Sequence, residues 1–301
     1  MRVSLVQIDV DPDEPTRDRR ARAAALVRAQ RGRDLVVLPE LWTVGAFAYD
    51  AWEGAAEPLD GPTSEAMSAA ARDARVWLHA GSVVERDASG GMFNTSLVFD
   101  PEGGLRAAYR KIHRFGFDEG EAVVMGGGRE IVTAPTPFGT LGLATCYDLR
   151  FPEQFRLLVD AGAELLTIPA GWPSSRLEHW RLLARARAVE SQAYVLACCT
   201  AGTHACVEQA GHSMVVDPWG TVLAEAGPYE EVLHADLDPG QVTEIRAGFP
   251  VLRDRALGLP DPRGRTGAPG QGAQGRDVSD PGLRRRPDAA ATTVASRASL
   301  R

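Results

Sequence analysis

The chain has 301 residues, 44% of them hydrophobic, with 33 basic against 40 acidic residues and a net charge of −7. Such a length supports one large core or two smaller ones, and the negative balance disfavours nucleic acid and anionic membrane surfaces, which reward clustered basic residues. A small-molecule or peptide-like substrate is the expectation that remains. No stretch approaches the ~18 consecutive apolar residues of a spanning helix, and the opening "MRVSLVQIDVDPDE" lacks the order of a signal peptide, so a cytoplasmic protein is expected. Four cysteines without CxxC spacing are too few for a disulfide scaffold, and the six histidines form no HExxH, so no metal site is expected.

The first apolar run, residues 2–10, reads as a strand. Residues 15–31 carry Ala, Leu and Arg at helical frequency until Gly32 stops them, and "DLVVLPE" follows as a buried strand. Strand, helix, strand is a βαβ unit and implies a sheet with helices packed on it. A helix at 63–74 precedes the strands "WLHAGSVVE" and "MFNTSLVFD", and the second is turned by "PEGG" into "LRAAYRKIH" as a hairpin. After "LGLATC" comes a helix with Pro152 in its first turn, Glu153 favourable to the dipole and Gly162 as its stop. "AELLTIPA" is another strand, and residues 176–194 form a longer helix for which "SRLE" at 175–178 matches a capping box. The strand "VLACCTAG", a hairpin turned at "DPWG" and the strand "EVLHADLD" complete the pattern, with no obvious internal repeat.

From about Leu259 the composition shifts to Gly, Pro, Arg, Asp, Ala and Ser. A segment so poor in apolar side chains does not offset its ordering entropy, so residues 259–301 are expected to be a disordered tail behind a folded domain of residues 1–258. Residues 261–301 hold eight arginines and four aspartates, a net +4, which leaves about −11 on the rest of the chain. The run of three arginines at 284–286 reads as a solvated patch.

Three apolar strands end in chemically capable residues: Glu40, Lys111 and Cys146. Ligands of α/β sheets bind beyond the carboxyl ends of strands, where residues distant in sequence converge. Each has a bland reading, as a turn cap, a surface cation and core filler. Yet Lys111 is the sole lysine among the 33 basic residues, which suggests a position needing a compact ammonium rather than a planar guanidinium. Together the three specify a reaction. A thiolate attacks, a nearby ammonium lowers the thiol pKa, and a carboxylate takes the thiol proton and returns it to an amine leaving group. The ammonium also meets the negative charge that develops on an attacked carbonyl oxygen, with the backbone N–H of Tyr147 as its partner donor. This chemistry asks for no metal and no organic cofactor.

The segments "LPELW", "YRKIHRFGF" and "CYDLRFPE" resemble the three signatures of the nitrilase superfamily of carbon–nitrogen hydrolases, and the likeness extends over roughly residues 1–258. The resemblance implies an α/β fold, a four-layer α-β-β-α sandwich, whose protomers pair through outer helices into a homodimer or higher homo-oligomer. It also implies a Glu40–Lys111–Cys146 triad and a thioester intermediate hydrolysed by water. The family carries a second glutamate beside the triad. Glu119 and Glu121 compete for that place, and the family's spacing of seven residues to a following glycine, here Gly128, selects Glu121.

Among the other residues, Trp172 lies beyond a strand end and reads equally as a pocket wall or a corner packing residue. Phe115 and Phe117 are candidates for the pocket entrance. His179 and Trp180 read as a buried structural pair, Arg150 as a structural residue fixing Glu153 or the nucleophile loop rather than binding substrate, and Cys198 and Cys199 as inert core thiols. His204 and Cys206 fall on a loop, with nothing to make them a catalytic pair.

The expected activity is hydrolysis of a small linear amide to ammonia and a carboxylic acid. "GWPSSR" and "HWRLLARARAVESQAY" look most like the ω-amidase branch, whose substrates are 2-oxo dicarboxylic acid monoamides. An arginine should then pair with the substrate carboxylate, and Arg176 is the candidate. The alternatives are an N-carbamoyl amidohydrolase, a nitrilase, an acyl transferase to an amine acceptor, and a catalytically silent scaffold.

Overall fold

Alternation along the strands decides the layering. In β1 (Arg2–Gln7), Val3 and Leu5 point to one face and Val6 to the other, and in β2 (Leu35–Val37) Leu35 and Val37 oppose Val36. The faces of Val6 and Val36 pack against α1 (Thr16–Arg28), through Ala23, Ala24 and Val27, and against α3 (Pro62–Ala74), through Met67, Ala70 and Ala71. Between them in sequence, α2 (Tyr49–Ala55) buries only Trp52. The sheet is completed by β3 (Trp77–Arg86), β4 (Met92–Phe99) and β5 (Leu105–Arg110).

After the short α4 (Glu121–Val124), a second sheet is built from β6 (Thr133–Thr136), β7 (Gly139–Leu143), β8 (Leu165–Ala170) and β9 (Tyr194–Cys199). Its outer face carries α5 (Pro152–Asp160) and α6 (Leu177–Ser191), with Phe155, Leu158, Trp180 and Ala184 packed on Leu166, Ile168, Val195 and Ala197. Beyond β9 lie a two-residue ribbon of β10 (Thr203–His204) with β11 (Val207–Glu208), the hairpin of β12 (Met214–Val216) and β13 (Val222–Glu225), then β14 (Glu231–Asp236) and α7 (Gly240–Gly248). The inner faces of both sheets meet in one core, where Val3, Leu5 and Val37 face Leu143, Leu196 and Val215. Helix, sheet, sheet, helix is the α-β-β-α sandwich expected.

This computed structural model describes residues 1–257. Nearly all fall in one unit, Met1–Arg255; the expected tail, 259–301, lies outside the described residues. The sheets order as β14-β1-β2-β3-β4-β5 and β13-β12-β9-β8-β7-β6. β1, β2 and β3 are parallel, and β5, antiparallel to β4 which is antiparallel to β3, runs with them. The carboxyl ends of β2 and β5 therefore leave the first sheet at one edge. In the second, β7, β8 and β9 are parallel and end together. His79 Nδ1 with Thr167 Oγ1 (2.9 Å) and Ser96 Oγ with Thr145 Oγ1 (3.0 Å) bond the sheets across their interface.

One local expectation fails. No side-chain capping bond forms at α6, which instead continues from a 3₁₀ turn at Ser174–Arg176. A capping box does form where none was predicted, at the 3₁₀ turn Cys146–Arg150, between Thr145 and Asp148.

Candidate active site

The nucleophile candidate sits on a bend that the chain would not adopt unaided. Cys146 has φ +47°, a left-handed conformation that costs a non-glycine residue about 1–3 kcal/mol. Asp148, fully buried, holds the bend. Its Oδ2 accepts from Thr145 N (2.8 Å) and the Tyr109 hydroxyl (2.7 Å), and its Oδ1 accepts from His113 N (2.9 Å), with His113 Nδ1 at 2.8 Å. Cys146 consequently faces the cavity at β7's end with 7% of its surface exposed.

Lys111, one residue past β5, extends its ammonium between two carboxylates, 2.7 Å from Glu40 Oε1 and 2.6 Å from Glu121 Oε2. All three side chains are buried. Glu121 is held further by Phe115 N (2.7 Å), and Glu40 Oε2 accepts from Gly171 N (2.8 Å) at the end of β8. Gly171 carries no side chain because a Cβ there would stand 2.4 Å from that of Ala46; its carbonyl lies 3.6 Å from Cys146 Sγ. Glu40, Lys111, Cys146 and Glu121 thus border one cavity of about 390 Å³, its open mouth included. Glu119 does not line it, as the spacing to Gly128 implied.

The electrostatics differ from the sequence expectation. Burial pushes the Cys146 thiol well above its ordinary value and the Glu40 charge adds to this, while Lys111 opposes both and is outweighed. Burial alone would lower the Lys111 ammonium, but Glu121 and Glu40 hold it well above the usual lysine range. Burial raises Glu121 as well, against the pull of Lys111. One cation shared by two carboxylates leaves no surplus positive charge to ionise a thiol. The ammonium does pull the thiol pKa down, as expected, but burial and Glu40 outweigh it, so the sulfur is held toward its protonated form.

The rest of the cavity is aromatic and cationic. Phe47, Tyr49, Trp52, Phe115, Tyr147 and Trp172 line it, together with Arg150 and Arg176. Tyr147 packs edge-on to Phe115 at 5.3 Å. Trp172 is both wall and corner: it borders the cavity and its Nε1 donates to Arg176 O (2.8 Å), pinning that turn. The Arg150 guanidinium lies 4.8 Å over Trp172 and that of Arg176 5.6 Å over Phe115. Neither has a carboxylate within 4.0 Å among the described residues. Burial and the charge of Arg176 together depress the Arg150 pKa.

Several expectations change here. Phe117 does not reach the cavity: the chain turns outward at Gly116, φ +121°, and leaves Phe117 84% exposed, while Phe115 takes the wall. Arg150 forms no ion pair with Glu153; its Nη2 lies 3.4 Å from His179 Nδ1 instead. Trp180 is buried with its Nε1 donating to His212 O (2.8 Å), but its expected companion His179 is exposed. Cys198 and Cys199 are buried, and burial pushes Cys199 up to about 12. Cys206 is exposed, whereas His204 is buried. Sequence reasoning missed Asn94, Phe47, Tyr49 and Trp52. Asn94 alone left a trace, a polar side chain inside the largely apolar "MFNTSLVF". Among the described residues no group of three or more His, Cys, Asp or Glu side chains is arranged to hold a metal.

Residues 2–247 match the family model described as carbon-nitrogen hydrolase. The chain belongs to the carbon-nitrogen hydrolase family. Its relatives in that family include a 2-oxoglutaramate amidase of Paenarthrobacter nicotinovorans, 44% identical over 88% of this chain and 92% of the relative. Another is the mouse omega-amidase NIT2, 35% identical over 86% of this chain and 96% of the relative. Of solved structures, the nitrilase-superfamily member Nit3 of Saccharomyces cerevisiae superposes with a TM-score of 0.76 at 32% identity, over 83% of this chain and 94% of that one. A CN-hydrolase superfamily protein from Xanthomonas campestris superposes at 0.79 and 33% identity, over 86% and 98%. The α-β-β-α sandwich is thus of the nitrilase type.

Proposed function

We propose that the protein is an amidase that hydrolyses 2-oxo dicarboxylic acid monoamides to ammonia and the free diacid, with Cys146 as nucleophile. The observation that carries this reading is a single cavity bordered by a thiol, a carboxylate and an ammonium and also by two guanidiniums that have no carboxylate partner among the described residues. Amide at one end and carboxylate at the other is the shape of an ω-monoamide. The names of the relatives agree.

In the reaction, Cys146 Sγ bonds to the amide carbon as its proton passes to Glu40 Oε2. The carbonyl π electrons move to oxygen, where the Lys111 ammonium and the Tyr147 backbone N–H meet the charge. Collapse breaks the carbon–nitrogen bond, and the nitrogen takes the proton from Glu40 and leaves as ammonia. Water, deprotonated by Glu40, attacks the thioester; the carbon–sulfur bond breaks and the thiol regains its proton. Glu121 keeps Lys111 in place, and Arg176 with Arg150 takes the substrate carboxylate.

Ammonia release across ω-amides of keto acids, N-carbamoyl compounds, aliphatic amides and nitriles, with Cys146→Ala as the blank, tests this. Turnover confined to nitriles or N-carbamoyl compounds would overturn the substrate assignment, and turnover by the blank would overturn the nucleophile. We further assign the catalytic domain to residues 1–258 and propose a cytoplasmic location, which suits four unpaired thiols. A homodimer paired through the exposed Leu182 and Val189 of α6 completes the reading. Cell fractionation and sedimentation test the last two. No helix among the described residues is long and apolar enough to cross a membrane.

A further inference from the structure

We propose that Asn94 is a positioning residue that selects which oxygen of Glu40 receives the thiol proton, by bridging Oε1 of Glu40 and Oε1 of Glu121 and leaving Glu40 Oε2 open. The inference rests on Glu40 acting as the base.

Asn94 is buried in β4, and its Nδ2 lies 2.8 Å from Glu40 Oε1 and 2.5 Å from Glu121 Oε1. An amide nitrogen carries two hydrogens, so each carboxylate receives one. The opposite orientation would set the amide oxygen against two acceptors, which fixes the assignment chemically. Asn94 Oδ1 has no partner among the described residues, so the side chain is held there by its donor end alone.

Lone pairs then decide the geometry. Glu40 Oε1 accepts from both Lys111 Nζ and Asn94 Nδ2 and has no capacity left. Among the described residues Glu40 Oε2 accepts a backbone bond from Gly171 N alone, so its remaining lone pair is the one open to the thiol proton. Without Asn94 the carboxylate gains a second open site, on the oxygen that faces Lys111. Glu121 is placed by the same amide: Asn94 holds Oε1 while Lys111 and Phe115 N hold Oε2. The charged or titratable groups bearing on this pair are Lys111, Cys146, Cys199 toward Glu40 and Tyr49 toward Glu121.

The test compares Asn94→Ser, which keeps one hydroxyl donor, with Asn94→Leu, which keeps the volume without donors, and Asn94→Asp, which keeps the shape but replaces donors by acceptors. Two readouts are taken: ω-amide hydrolysis, and iodoacetamide alkylation of Cys146 against pH in a Cys206→Ser background. Loss of both charge-assisted bonds, of which the one to Glu40 bears on the base, is expected to lower kcat at least about 10- to 100-fold in Asn94→Leu with KM within about threefold of wild type. The order of kcat is expected to be wild type, Ser, Leu, Asp. The rising limb of alkylation in Asn94→Leu is expected to move to higher pH, because the two carboxylate charges that raise the thiol lose the donor that offsets them. Wild-type kcat in Asn94→Asp, or a loss in Asn94→Leu confined to KM, would overturn the proposal. Should Asn94→Leu fail to fold, the same ranking between Ser and Asp decides it. Failure of the wild type on every ω-amide, with its alkylation profile intact, would instead count against the substrate reading and leave the alkylation ranking to judge Asn94.

Discussion

Replacing Lys111 with methionine removes a cation while keeping most of its volume, and the surroundings of the ammonium set the cost. It stands 2.7 Å and 2.6 Å from two carboxylate oxygens, with side chains only 2–4% exposed, so water cannot replace it. Breaking a buried pair of this kind costs about 3–5 kcal/mol. The two carboxylates then face one another, and one takes up a proton. A carboxylate whose folded pKa exceeds its unfolded value adds stability that is present below the unfolded pKa and disappears as pH rises through the folded one. In wild type Lys111 only partly offsets the burial that raises Glu121, so above the wild-type Glu121 range the variant loses up to about 1.4 kcal/mol per pH unit more than wild type. Urea titrations at pH 5, 6, 7 and 8 are expected to show a deficit that widens with pH. The same substitution removes an oxyanion donor and should lower kcat at least about 10²–10³-fold. A deficit under about 1 kcal/mol that stays constant across this range would refute the placement of one buried ammonium between two ionised carboxylates.

The remaining predictions bear on separate parts of the site. Arg176→Ala and Arg150→Ala should each raise KM for a keto-acid ω-amide about 10- to 100-fold with little change in kcat, as expected for binding lost equally from ground and transition states; unchanged KM in either removes that residue from the carboxylate site. Asp148→Ala leaves the buried Thr145 N–H and Tyr109 hydroxyl and the half-buried His113 N–H without their acceptor and frees the bend at Cys146. It is expected to destabilise the fold by about 3 kcal/mol or more and to abolish turnover, measured by denaturant unfolding and ammonia release. Trp180→Ala empties a fully buried indole site beneath α6 and should cost about 3–5 kcal/mol in the same unfolding assay.

Strand ends were the legible part of this sequence. Glu40, Lys111 and Cys146 stand out because each closes an apolar run, and period-two alternation places those runs in sheets. The third β-strand residue of β2 is nevertheless the last: Leu38, Pro39 and Glu40 have already left the ladder, and the chain turns at Leu41, φ +43°. Elements without a repeating apolar stripe were invisible. The helix α2 buries only Trp52, and β6 contains Pro135, yet the first supplies Tyr49 and Trp52 to the cavity. The selection of Glu121 over Glu119 came from family spacing. Composition alone does not tell which of two carboxylates two residues apart turns inward. Phe117 and Arg150 were misplaced for a similar reason, since both depend on the course of a loop.

What sequence could not supply at all was the count of partners around each charge. A lysine near a cysteine suggests a thiolate. Burial of the sulfur, with the Glu40 charge added to it, reverses the conclusion, because the one ammonium beside it is already shared by two carboxylates. In the proposed reaction the proton therefore leaves the sulfur only as the carbon–sulfur bond forms, when the new negative charge appears on the substrate oxygen instead. This makes the ammonium more useful to the oxyanion than to the resting thiol, and it explains why the carboxylate base must be held with one oxygen lone pair free. It also predicts that unactivated alkylating reagents react slowly with Cys146 at neutral pH, while thioester-forming amides react fast. A Cys146 alkylation rate matching that of a free thiolate at pH 7, measured in the Cys206→Ser background, would contradict the concerted transfer.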